Sequence, residues 1–203
     1  MEPEAPQFLL ARGRLYAGLS RWDKADADFA KALAAQPDDS DLWYYRASGL
    51  LLAGDTAGYR QVRGRALERF GQTEGPRTAF CVARLCTLAP KAIADPARAV
   101  RLAQQAVEAA KVPWTLHVLG IAHYRCGQLQ EAVRWLHESM QLDTDWTGDV
   151  QNWLVLALAH HDQGQHEAAR QWLGNAVHRM DENIQKSKRE GGPVLWGIHP
   201  HDW

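Results

Sequence analysis

A chain of 203 residues, 46% hydrophobic and 23% charged, has the make-up of one compact folded body or at most two small domains. Its formal net charge of −1 offers no global field for nucleic acid or an anionic membrane. No apolar run approaches the roughly 18 residues that a membrane-spanning helix needs.

The opening MEPEAPQF is acidic and proline-containing, without the basic and apolar regions of a secretory signal. Residues 1–7 read as a polar lead-in. The three cysteines, Cys81, Cys86 and Cys126, are an odd number without metal-type spacing, and read as reduced thiols of a cytoplasmic protein.

The stretch from Leu9 to Pro37 holds two helix-period segments joined by a short polar turn. Leu9, Gly13 and Tyr16 recur at spacings of four and three, as do Ala25, Phe29 and Ala32, and Pro37 stops the run. Each set falls on one helix face, and the small residues allow two helices to pack closely. Asp38, Asp39 and Ser40 then supply cap chemistry for a helix beginning DLWYYRASGLLLAG, and Gly54 suits its left-handed end. A partner helix follows at about 57–70, where Ala47 and Ala66 repeat Gly13 and Ala32 after 34 residues, but Tyr59 and Arg63 replace Ala25 and Phe29.

Residues 71–76 form a loop, and Pro76 opens the next helix, with Cys81 at the small-residue position. The segment PKAIAD is long for a turn; Asp95-Pro96 starts the partner helix, which carries Ala99, Ala103 and Ala106 on one face. Gly120, Gly127, Ala132, Leu136 and Ser139 then repeat the pattern of Gly13, Ser20, Ala25, Phe29 and Ala32. Trp153, Leu156, Ala157, Gly164, Ala169, Leu173 and Ala176 repeat it again. Several of the nine tryptophans fall at packing positions and are expected in the core. The pattern stops at Asp181, and Gly191-Gly192-Pro193 breaks any helix before an apolar end of Val194, Leu195, Trp196, Ile198 and Trp203.

These residues resemble the tetratricopeptide repeat, a helix–turn–helix unit of 34 residues. The resemblance implies an all-α, right-handed superhelical solenoid of about five repeats over residues 8–180 (about 8–39, 40–73, 74–112, 113–147 and 148–180). Residues 181–203 are a tail that could cap the last repeat, leaving a monomer or a tail-mediated homodimer. The wording of the repeats is similar to that of bacterial signalling proteins whose repeats sit behind Ser/Thr kinase or WD-repeat domains.

The resemblance further implies a protein-interaction scaffold that holds a peptide or partner protein in a concave groove lined by the first helix of each repeat. Its register gives Leu10 and Arg14, then Tyr44, Ser48 and Leu51, then Thr78, Val82 and Leu85. In the later repeats it gives Trp114, His117, Ile121, Tyr124 and Arg125, then Leu154, Leu158 and His161. Arg14, Tyr44, Ser48, Trp114, His117, Tyr124, Arg125 and His161 are the expected binding residues, aromatic and Arg types being those that dominate interfaces. Leu10 and Arg14 stand where carboxylate-clamping relatives have Lys and Asn, so that clamp is not expected.

Other chemistries find little purchase. His166-Glu167 begins like a zinc H-E-x-x-H motif, but Arg170 replaces the second histidine. No phosphate loop, dinucleotide fingerprint or nucleophile elbow occurs. No enzymatic activity, cofactor or metal is therefore expected. The alternative partner is RNA, met by the arginine strip Arg60, Arg63, Arg65 and Arg69 with flanking aromatics. The near-zero net charge disfavours it.

Overall fold

The structure is a computed structural model, and it describes residues 5–89, 96–142 and 148–190. Among the described residues there are ten helices and no strands. The chain divides into two compact units, Met1–Ala106 and Val107–Trp203.

The first unit holds α1 (Pro6–Gly18), α2 (Trp22–Ala35), α3 (Ser40–Leu52), α4 (Thr56–Phe70) and α5 (Pro76–Thr87). It also takes most of α6 (Pro96–Ala109). The pairs α1–α2 and α3–α4 are helical hairpins, and α3 packs on α2 and α5 in turn. Close approach within the first hairpin requires glycine at position 13: a Cβ there would lie 2.6 Å from the buried Phe29 ring. The second unit repeats the design with α7 (Pro113–Arg125), α8 (Leu129–Leu142), α9 (Asp149–Asp162) and α10 (His166–Glu190). There Gly120 faces Leu136, which is fully buried.

One turn geometry recurs in both units. The residue closing the first helix of a hairpin is left-handed: Ser20 (φ 55°), Gly54 (79°), Gly127 (73°) and Gly164 (76°). The N–H of the next residue donates back across the turn, Arg21 to Tyr16, Asp55 to Leu50, Gln128 to His123 and Gln165 to His160, at 2.8–3.0 Å. These bonds satisfy carbonyls left open at the helix ends and reverse the chain.

The decayed second repeat is resolved by size. Tyr59 stands at the small-residue position but is buried, and its hydroxyl donates to the Leu85 carbonyl at 3.0 Å. The ring thus ties α4 to α5 where an alanine would have let two backbones close.

Three expectations change. Among the described tryptophans only Trp43 is buried, its indole N–H donating to the Pro37 carbonyl; Trp114 is half exposed. The helix of the last repeat reaches into the tail, since α10 runs on past Asp181 to Glu190. Its extension DENIQKSKRE contains no Gly or Pro, and Glu182 meets His178 and Arg179 one turn back. Val82 and Leu85 are buried rather than facing a groove. The insertion at 90–95, Trp146 and the apolar tail 191–203 lie outside the described residues.

Candidate functional site: the faces of the first helices

In the first unit the inner faces of α1, α3 and α5 meet in a ladder of arginines and tyrosines. The Arg14 guanidinium lies 5.4 Å from the Tyr45 ring centre, Tyr45 stands edge-on to Tyr44 at 5.9 Å, and Arg84 sits 4.1 Å over Tyr44. Such stacks are favourable because a cation meets the electron-rich ring face. Ser48 is half-buried and donates to the Tyr44 carbonyl one turn back. Beside the ladder Asp41 accepts from Arg77 at 2.6 Å and from the Cys81 thiol at 3.1 Å. Burial first, and then the Asp41 charge, push the Cys81 thiol up to about 12, so it is protonated at neutral pH and is no nucleophile. Burial does the same to Cys86.

The structure brings Arg14, Tyr44 and Ser48 into one cluster, which also holds Tyr45, Arg77 and Arg84, three residues that sequence reasoning did not single out. Arg77 and Arg84 are seven residues apart, two helical turns, and that spacing was the available sign. It was overridden by carrying the 34-residue register into α5, which is buried on most sides because it packs on both α3 and α4.

The second unit presents a different face on α7 and α9. Trp114, Leu154 and Leu158 are exposed apolar side chains, 37–49% accessible. At the far end of α7 the Tyr124 hydroxyl donates to Asp162 at 2.9 Å, and Arg125 lies 5.6 Å from the Tyr124 ring centre. Burial and then the Asp162 carboxylate hold the Tyr124 phenol above its ordinary pKa. His161 is exposed beside Asp162, with its ring 5.2 Å from that of His166.

His117 departs from expectation. It is buried, and its Nδ1 pairs with the Asn152 side-chain oxygen at 2.7 Å. Asn152 donates in turn to Ser139 at 3.1 Å, and Ser139 to the Pro113 carbonyl at 2.8 Å. His117 thus joins α7, α8 and α9 from inside and is not a groove residue. Its neighbours in register, Trp114 and Ile121, are exposed and half-buried, so periodicity alone could not separate it.

Three arginines of the strip proposed for RNA, Arg63, Arg65 and Arg69, already meet groups of the chain itself. Arg63 lies against Tyr59 and Arg65 against Trp43, while Arg69 pairs with Asp38 at 2.6 Å. The rings that would stack on bases are those the strip itself covers. Among the described residues no group of three His, Cys, Asp or Glu side chains is placed to hold a metal ion, and no helix is long and apolar enough to cross a membrane.

The paired helices, their small-residue contacts and their common turn coincide with family matches. Residues 114–142 and 153–175 each match a tetratricopeptide repeat model. Those two segments of the chain are tetratricopeptide repeats. Solved structures with the same fold include TTC0263, a thermophilic TPR protein from Thermus thermophilus. It shares 16% identity at a TM-score of 0.64, over 91% of this chain and 96% of that one. A MamA structure matches at 13% identity and TM-score 0.51, over 91% and 96%. A chain of the APC/C hetero-tetramer Cut9–Hcn1 matches at 16% and 0.62, over 87% of this chain and 34% of that one. At these identities the likeness is one of fold. No curated protein matches the chain. As a TPR protein it is a helical-repeat scaffold of the protein-binding kind.

Proposed function

We propose that the TPR chain holds a segment of a partner protein on the first-helix faces, with the α7–α9 face as the principal seat. The observation behind this reading is that these two helices carry exposed Trp114, Leu154 and Leu158 together with the Tyr124–Asp162–Arg125 cluster at the end of α7. Apolar anchors on a face that also carries aromatic and charged groups are what a peptide side chain can bury against while its backbone finds polar partners. The Arg14–Tyr45–Tyr44–Arg84 ladder of the first unit would offer a second, more polar seat. The chain acts by binding and needs no cofactor. Resemblance to repeats of bacterial signalling proteins supports a partner drawn from such an assembly.

A displayed random-peptide library selected on the full chain tests the reading. Peptides enriched on the native protein should lose most of their binding to a Trp114→Ala/Leu158→Ala variant, a loss of roughly 2 kcal/mol or more. Both side chains are largely exposed, so the helical circular dichroism should not change. Equal retention by the variant would sink the proposal.

A further inference from the structure

One joint between hairpins in each unit, α2–α3 and α8–α9, is built in the same way. A second helix offers two side chains one turn apart, and the first helix of the next hairpin covers them with three residues at spacings of three and four. In the first unit α2 offers Phe29 and Leu33, both buried, and α3 covers them with Leu42, Tyr45 and Gly49. A Cβ on Gly49 would lie 3.6 Å from the Phe29 ring, and the Tyr45 and Phe29 rings stack at 6.1 Å. In the second unit α8 offers Leu136 and Met140, and α9 supplies Asn152, Val155 and Ala159 at the same register. Leu136 and Ala159 are fully buried there.

Both halves of this joint also occur uncovered. On α10, Leu173 and Val177 stand at the register of Phe29 and Leu33 but are 47% and 48% exposed. On α1, Phe8, Ala11 and Leu15 stand at the register of Leu42, Tyr45 and Gly49. All three are exposed, Phe8 and Leu15 by 70% and 69%. Apolar side chains this large are usually withdrawn from water, at roughly 1.5–3 kcal/mol each. The sizes also match. Leu15 is larger than Gly49, while Ala11 is smaller than Tyr45 and Leu173 smaller than Phe29, so the summed volume of the joint is roughly conserved, the condition under which packing tolerates exchange.

We infer that α1 of a second copy of this chain docks on α10, repeating the joint between molecules. The two surfaces differ, so the contact is heterologous and can propagate from copy to copy. The rim does not reproduce the ion pair of the α2–α3 joint: Arg170 stands at the register of Asp26, which accepts from Arg46 at 2.8 Å. Association therefore rests on the apolar centre, and a dissociation constant on the order of 10 µM is expected.

Light scattering of the full chain across about 1–100 µM tests this. The mass should climb with concentration past the dimer. Leu15→Glu and Leu173→Glu should each abolish the rise, with Phe8→Ser and Val177→Ser as milder replacements should either variant lose helical signal. An equal mixture of Leu15→Glu and Leu173→Glu retains one intact α10 face and one intact α1 face, and should give a dimer that grows no further. A wild-type chain that stays monomeric overturns the inference. So does a mixture that stays monomeric, or a variant of either face that associates unchanged. If the full chain is monomeric but a chain ending at Glu190 associates, residues 191–203 occupy α10 and the second copy does not.

Discussion

The two units solve one packing problem with opposite chemistry. In the first, the position just before the helix-pairing glycine or alanine is Arg12 in α1 and Arg46 in α3. Arg12 grips the buried Asp28 of α2 through two bonds at 2.7 and 2.8 Å, and Arg46 reaches Asp26 at 2.8 Å. In the second unit the same position is Leu119 in α7 and Leu156 in α9, both fully buried, and Trp135 and Trp172 replace Asp28 in register. What polarity the second unit has lies deeper, in the His117–Asn152–Ser139 chain. The backbone pairing is set by the small residues beside these positions, so it accepts either an ion pair or a leucine. The difference falls on what the stability depends on: charge state in the first unit, completeness of a buried hydrogen-bond chain in the second.

The largest effect should come from breaking that chain. Asn152→Ala removes the partner of both His117 and Ser139 in a site closed to water, and also leaves a small void. Two buried hydrogen bonds are lost and a void opens, so a loss of roughly 2–4 kcal/mol is expected, largely independent of salt. Denaturant melts at low and high salt would check it. A loss below about 1 kcal/mol would mean that the chain is not holding α7, α8 and α9 together.

Next comes the ion pair of the first unit. The Arg12 guanidinium, through its hydrogen bonds, holds the Asp28 carboxyl below its ordinary pKa. A depressed folded-state pKa contributes stability that is in place above the unfolded carboxylate value, near about 4, and is lost as pH falls through the folded value. The first unit should therefore lose hydrogen-exchange protection in acid below about pH 4. Asp28→Asn should cost roughly 1–3 kcal/mol at neutral pH. Arg12→Leu with Asp28→Leu transplants the apolar solution of the second unit. That double variant should stay near wild-type stability at neutral pH and lose much of the acid dependence, since exchanging a pair with one buried partner for apolar groups removes the desolvation cost of the Asp28 charge together with its attraction to Arg12. If it melts in acid as the wild type does, the comparison between the units fails.

The joints and turns were legible in the sequence because they recur: Gly13, Ala25, Phe29 and Ala32 announce a hairpin, and Gly120, Ala132, Leu136 and Ser139 announce it again. What was not legible depends on a neighbour that the repeat does not encode. His117 has the spacing of a groove residue but finds Asn152, 35 residues on. Arg84 escapes the register because α5 is enclosed by α3 and α4, which leaves its arginines as the side chains that reach Tyr44 and Asp41. The run of α10 to Glu190 was not legible because the repeat pattern ends at Asp181 and the residues after it are polar, without the apolar period that marks a packed helix.

The smallest predicted effect concerns the turn that both units share. Gly127 and Gly164 take the left-handed conformation without cost, but the first hairpin turns on Ser20 at φ 55°. A side chain there crowds the following carbonyl by roughly 1–2 kcal/mol, against which glycine loses roughly 0.5–1 kcal/mol by freeing the unfolded chain. Ser20 is exposed, so no packing is disturbed by its removal. Ser20→Gly should thus stabilise the first unit by a few tenths to about 1 kcal/mol, read as a small rise in melting temperature. Gly164→Ser should lower the stability of the second unit by a similar amount, since nothing lies within 4 Å of a Cβ built there and the strain alone would act. Opposite signs of equal size would show that the two turns are one device differing in a single atom group. If Ser20→Gly destabilises, the serine hydroxyl satisfies a group in the turn that glycine cannot, and the equivalence of the two turns ends at the backbone.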